Sequence, residues 1–233
     1  AAIYHPVGLA LVVEGHLKTG VILAINGIWG NFGVGVAAAV TGILIDFMGW
    51  RAAFVIPGLI SVGIGIIYYV TRRIAHLPET SEVTNSSSTE YQTLSVKQYK
   101  NNIVHIFSII FFSSAIGGVI YQSTTFALPK VFDERLTDIA SSATSIGLYS
   151  LLVFSLAAIS QLIVGYLIDR YPIRYIFSFI AITQSIFLFF MQDLTNLSAF
   201  FIAIVLMMAV FGQIPINDVL VARISTDYWR SRI

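Results

Sequence analysis

The 233 residues are 57% hydrophobic and only 11% charged, include no cysteine, and carry a net charge of +1 with a mean hydropathy of +0.83. Soluble domains typically carry about 25% charged residues, so this composition excludes that class. The near-neutral charge gives no support for nucleic-acid binding, and the lack of cysteine removes thiol catalysis, thiolate metal sites and disulfides.

All Asp, Glu, Lys and Arg residues fall between seven charge-free runs: 1–13, 19–45, 52–71, 101–129, 139–168, 175–192 and 194–217. A helix needs about 20 apolar residues to cross the hydrocarbon core of a bilayer, and each run except the first is long enough. Exposed irregular backbone in lipid would leave N–H and C=O groups unpaired, and barrel strands would be about ten residues long, so the runs are predicted to be helices. The expected fold is an all-α polytopic membrane protein with six full spans and one truncated. The first run lacks a starting methionine and a basic leader, which reads as a cut span, and 228–233 reads as a loop leading onward; the chain is expected to be a fragment.

Between the third and fourth runs lies the one long polar stretch, Thr71 to Asn102, with Pro78-Glu79-Thr80-Ser81-Glu82 and Asn85-Ser86-Ser87-Ser88-Thr89-Glu90. It cannot bury a core and is expected to be a flexible linker, with a short surface helix at Leu94 to Lys100. Three parts follow: a first bundle at 1–71, a linker at 72–101 and a second bundle at 102–233. With alternating spans, Lys18, Arg72, Arg73, Lys97, Lys100, Arg170, Arg174, Arg223, Arg230 and Arg232 share one face, against Arg51, Lys130 and Arg135 on the other. The positive-inside bias makes the first face, with the linker and 169–174, cytoplasmic in a plasma (inner) membrane.

Two internal echoes cross the linker. Pro6 to Glu14 matches Pro215 to Arg223 at the proline, the Leu-Val pair and the closing charge. Gly42-Ile43-Leu44-Ile45-Asp46 with Arg51 matches Gly165-Tyr166-Leu167-Ile168-Asp169 with Arg174. The first pair ends on one membrane face and the second on opposite faces, the pattern of parallel halves that each hold inverted repeats; chance likeness between apolar helices is the alternative.

The stretch Gly165-Tyr166-Leu167-Ile168-Asp169-Arg170-Tyr171-Pro172-Ile173-Arg174 resembles the cytoplasmic Gly-x-Leu-x-Asp-Arg-x-Gly-Arg loop of the major facilitator superfamily, with Pro172 and Ile173 as departures. Asn31-Phe32-Gly33 through Thr41-Gly42 to Gly49-Trp50-Arg51-Ala52-Ala53-Phe54 is similar to that family's fifth helix entering its sixth, and Tyr121-Gln122 with Leu128-Pro129-Lys130 to the end of its seventh. The resemblance places the chain from the end of helix four to the loop after helix ten of a twelve-helix secondary transporter. It implies that the linker joins the two halves.

The resemblance also implies a cytoplasmic gate at Gly165, Asp169, Arg170 and Arg174, with Asp169 near the helix that begins at Thr19 and Gly20; Arg174 could pair with Asp218 or Asp227. Plain helix-end anchoring is the alternative. Helices one, four, seven and ten line the family's path, which makes Tyr4, His5, Tyr121, Gln122, Gln213 and Asn217 the cavity candidates. Asn26, Asn31 and Gln161 read as interhelical hydrogen-bonding groups. Gly33, Gly35, Ala37, Ala39 and Gly42 form small-residue rows for close helix packing, Gly35 with Ala39 or Gly33 with Ala37. Antiporters of the family often carry Gly-Pro where this chain has Ala37-Ala38, which weakens a drug-antiport reading.

The leading function is therefore secondary active transport of a small solute by alternating access. Its expected partners are the lipid bilayer, the small-molecule substrate and a coupling proton or cation, with no nucleic acid and no cofactor or metal. No Asp or Glu lies deep in a complete run, so a coupling carboxylate is expected elsewhere, and a passive channel or uniport facilitator is the alternative. A membrane-embedded enzyme would need a constellation such as His-Glu-x-x-His or Gly-x-Ser-x-Gly, which the sequence lacks.

Overall fold

A computed structural model describes residues 19–74 and 103–224 of the chain. Tyr4, His5, the first run, residues 75–102, which hold most of the linker expected at 72–101, and residues 225–233 with Asp227 lie outside the described residues. Among the described residues six helices follow one another: α1 (Thr19–Met48), α2 (Ala52–Ile74), α3 (Ile103–Arg135), α4 (Ala143–Ile168), α5 (Ile173–Phe190) and α6 (Asn196–Ile224). Among the described residues α1, α2, α4, α5 and α6 hold stretches long and apolar enough to cross a membrane. α3, of 33 residues, holds the charge-free stretch 103–129, which is also long enough to cross.

The connections are short, and local chemistry sets them. Gly49 ends α1 at φ +84, a left-handed conformation that costs an L side chain roughly 1–2 kcal/mol, and Ala52 starts α2 three residues later. Ser142 opens α4 with a capping box: its hydroxyl accepts from the Ser145 N–H at 3.1 Å, and the Ser145 hydroxyl accepts from the Ser142 N–H at 3.0 Å. Pro172, at φ −60, precedes α5 where a missing N–H is harmless. Asn196 begins α6 at φ 52, and its side-chain oxygen accepts from the Asp138 N–H at 3.2 Å, tying the α3–α4 connection to the α5–α6 connection.

Several helices outrun the charge-free runs that announced them. α3 continues through Pro129 to Arg135, with Lys130 paired to Asp133 at 2.9 Å on its exposed end, so most of the charged stretch between the runs ending at 129 and starting at 139 is helix. α6 continues past Asn217 to Ile224. Charge-free runs measure the hydrocarbon crossing, and a helix can extend beyond it into the headgroup layer, where charge is cheap.

α4 is the central element. α1 lies antiparallel along it, α6 packs on another side, and α6 also carries α3 and α5. Phe132, Leu136, Phe154, Met207 and Phe211 are fully buried at the centre of one cluster, with the Phe154 and Phe211 rings stacked at 5.8 Å. A second cluster joins Leu23 of α1 to Val164, Ile168, Ile180, Ile216 and Val219. α2 turns nearly all of its large side chains outward, among them Phe54, Leu59, Ile64 and Ile67.

Lipid supplies no hydrophobic drive to join helices, so close approach must come from small residues. Of the two rows in α1, Gly35 and Ala39 are buried, with Gly35 against Leu151 and Phe154 of α4. Gly42 sits against the Ala143 backbone. Gly33 and Ala37 face outward on the opposite side of α1, and a Cβ on Gly33 would meet nothing within 4 Å.

Candidate functional site

A cavity of about 720 Å³ opens where α1, α3 and α6 converge. That volume suits a small organic molecule. Each wall is one face of one helix. Ser114, Gly117, Gly118 and Tyr121 recur at helical spacing on α3, and Val210, Gln213, Ile214 and Asn217 do so on α6. α1 adds Asn26, Gly27, Trp29, Gly30, Asn31 and Val34, so helices before residue 75 and after residue 102 share the cavity.

The polar groups are held in place. The Tyr121 hydroxyl donates to the Asn31 side-chain oxygen at 2.8 Å, linking α3 to α1, and its ring leans on Phe211 at 5.4 Å. Gln184 of α5, itself buried, donates from Nε2 to Gln213 Oε1 at 2.9 Å and to the Ala209 carbonyl at 3.2 Å, which fixes the Gln213 amide. Gly117 leaves room for that amide: a Cβ there would lie 2.6 Å from Gln213 Nε2 and 3.3 Å from Asn217 Nδ2. The buried Asn217 Oδ1 has no hydrogen-bond partner among the described residues.

Of the sequence candidates, Tyr121, Gln213 and Asn217 line this cavity. Gln122 is exposed and does not, because one helical step of about 100° turns it away from the face that carries Tyr121. Asn26 and Asn31, read as interhelical hydrogen-bonding groups, line the cavity, whereas Gln161 of α4 is fully buried against Gly27 and its side-chain amide has no hydrogen-bond partner among the described residues. Asp218, the charge that closes the run 194–217, also lines the cavity. The repeat Val210, Gln213, Ile214, Asn217 was the available signal, since continuing the same helix carries Asp218 to the edge of that face.

The second arrangement is at the ends of α1 and α4. The Gly20 and Val21 N–H groups donate to the two carboxylate oxygens of Asp169, each at 3.2 Å. These are first-turn N–H groups of α1 with no partner inside their own helix, and the positive end of the helix dipole faces the carboxylate. Gly165, one turn before Asp169, permits the approach: a Cβ on it would lie 2.6 Å from the Gly20 carbonyl oxygen and 2.8 Å from the Ala24 Cβ. Arg170 lies over the Tyr166 ring at 4.1 Å. Arg174 turns onto Tyr175, donating to its hydroxyl at 3.0 Å, and not onto Asp218, which belongs to the cavity wall.

At the far end of the same helix pair, Asp46 receives the Ala143 and Thr144 N–H groups at 3.2 and 2.7 Å. With the capping box at Ser142, the first three N–H groups of α4 all have acceptors. Among the described residues there is no cluster of His, Asp or Glu that could hold a metal ion.

Comparison with known proteins supplies one finding and two absences. A family model described as Major Facilitator Superfamily matches residues 1–231. No curated protein and no solved structure matches the chain.

Proposed function

The chain belongs to the Major Facilitator Superfamily, a family of membrane transporters of small molecules, and on that premise we propose that it is part of a secondary active transporter working by alternating access. In that mechanism two helical bundles rock about a site near the membrane midplane. The carrying observation is the cavity walled by α1 from one side of the linker and by α3 and α6 from the other. A site shared between halves is remade whenever they move, which a channel lined by one rigid bundle would not require.

In this reading the bundles 1–71 and 102–233 are joined by a cytoplasmic linker at 72–101, and 169–174 faces the cytoplasm of the plasma membrane. Tyr121, Gln213 and Asn217 present hydrogen-bonding groups to the solute, with Asn26 and Asn31 opposite. Amides and a phenol suit a polar, hydroxyl- or amide-bearing solute. Asp218, at the cavity wall, is the candidate to take up a coupling proton or cation. The Asp169 clamp on α1 holds the cytoplasmic side closed, and its release opens the cavity inward.

The test is counterflow in proteoliposomes holding the full-length protein, using a radiolabelled panel of sugars, amino acids and carboxylates. Saturable exchange of a panel solute supports the carrier; flux that stays linear with concentration and shows no counterflow contradicts it. Asn217→Ala is expected to raise KM for the exchanged solute by about threefold to tenfold, the effect of one lost hydrogen bond, while thermal stability stays near that of the unsubstituted protein. An unchanged KM would remove Asn217 from the site.

A further inference from the structure

The echo between Gly42–Asp46 and Gly165–Asp169 is also a symmetry of contacts. At one constant offset, Gly20 corresponds to Ala143, Val21 to Thr144, Gly42 to Gly165 and Asp46 to Asp169. The carboxylate and glycine contacts at one end have their counterparts at the other. Asp169 takes the N–H groups of Gly20 and Val21, and Asp46 takes those of Ala143 and Thr144. Gly165 abuts the Gly20 carbonyl oxygen, and Gly42 abuts that of Ala143. α1 and α4 are therefore related by a local twofold axis, and each helix carries, at its C-terminal end, the carboxylate that caps the other.

We propose that Asp46 and the first turn of α4 form a second latch, on the membrane face opposite Asp169, and that the two latches open alternately as α1 and α4 rock. The proposal rests on the alternating-access reading. Asp46 and Gly20 are separated by about 40 Å along α1, since each residue adds about 1.5 Å. Between them Gly27 touches Gln161, and Gly35 touches Leu151 and Phe154, which provides a midway fulcrum. A rotation of about 15°, the size of subunit rotations in known switches, would carry a point ~20 Å from the fulcrum by ~5 Å, enough to part either pair of hydrogen bonds. Rocking in one direction strains one latch and relieves the other. In the structure both are closed, so the α1–α4 contact is shut at both faces.

The sequence offers a reason for a latch at Asp46 beyond helix ending. Gly49 already terminates α1, and Ser142 with Ser145 already caps α4. Asp46 adds a bridge between helices from opposite sides of the linker, taking the two first-turn N–H groups, of Ala143 and Thr144, that the Ser142 cap leaves open.

The experiment measures spin-label distances in the full-length protein in nanodiscs. One reporter pair, Phe47→Cys with Ser141→Cys, reads the Asp46 face; the other, Ile25→Cys with Tyr171→Cys, reads the Asp169 face. Asp46→Asn keeps the size but loses the charge and turns an NH₂ group toward the α4 N–H groups. It should raise the population with long Phe47–Ser141 distances by about three- to tenfold and lower the population open at the Asp169 face. Asp169→Asn should do the reverse, and Asp46→Glu, which keeps the charge, should restore part of the original distribution. If Asp46→Asn leaves both distributions unchanged, or shifts both faces in the same direction as Asp169→Asn, the second latch is overturned. Opposite shifts in a protein whose solute flux stays linear with concentration and shows no counterflow would retain the latches and overturn the transport reading.

Discussion

Gly165→Leu is expected to separate α1 from α4 and to abolish transport by the full-length protein, with a loss of stability of about 1–3 kcal/mol or more. The cause is backbone against backbone. A Cβ at 165 would lie 2.6 Å from the Gly20 carbonyl oxygen and 3.0 Å from the Gly20 carbonyl carbon, atoms held by the first turn of a helix that cannot yield without moving as a body. A flexible side chain could step aside; α1 would have to move outward instead, parting the Gly20 and Val21 N–H groups from Asp169. Gly33→Leu is the matched control, because a Cβ there meets nothing within 4 Å on the outward side of the partner helix α1. Thermal unfolding in detergent should show a lower midpoint for Gly165→Leu and little change for Gly33→Leu. Equal behaviour of the two would mean that the close approach at Gly165 does not hold the pair together.

Asp169→Asn should have the second largest effect, and of a different kind: the protein folds, but its conformational balance shifts. Asp169 accepts from two first-turn N–H groups, a charge-assisted arrangement facing the positive end of α1. Partly buried carboxylates in that position contribute up to about 2 kcal/mol, so removing the charge would shift a two-state equilibrium by roughly thirtyfold at most. A carrier must pass through both states to complete a cycle. The turnover of the full-length protein should fall about tenfold or more while its melting temperature changes little, and Asp169→Glu should recover part of the rate. A large drop in melting temperature that accounts for the lost activity would make Asp169 a structural anchor and not a gate.

The membrane fold was legible because ionised side chains punctuate the chain so strictly, and among the described residues each run between them lies in a helix. The ends were less so. Lys130 and Asp218 marked where charge begins but not where the helices stop, since a helix can continue into the headgroup layer without penalty. The position of Asp169 against Gly20 was readable because its motif carries a glycine one turn before a carboxylate, and the same spacing at Gly42 and Asp46 held the mirror contact in plain view. What hid it was the partner: nothing in Ala143-Thr144 announces that its N–H groups will face a carboxylate nearly a hundred residues earlier.

The cavity was legible only by halves. Tyr121, Gln213 and Asn217 stood out as polar side chains in apolar surroundings, but so did Gln122, and polarity alone does not say which way a helix is turned. Rotation is decided by packing: Phe211 stacks on Phe154 and supports Tyr121, which orients α3 and α6 together and leaves Gln122 outside. Asn31 serves both readings, since its hydrogen bond to Tyr121 joins two helices at the cavity wall. Gln184 escaped notice because it sits on a helix behind the cavity and acts through Gln213.

The central claim is that the two carboxylate-capped ends of the α1–α4 pair lie on opposite faces of a bilayer. Single cysteines at Phe47 and at Tyr171, both exposed and free of background from any thiol in these 233 residues, test it most directly in sealed cells. With a membrane-impermeant maleimide, Phe47→Cys should react from the outside, and Tyr171→Cys should react only after the membrane is permeabilised. Labelling of both positions from the same side would contradict the account.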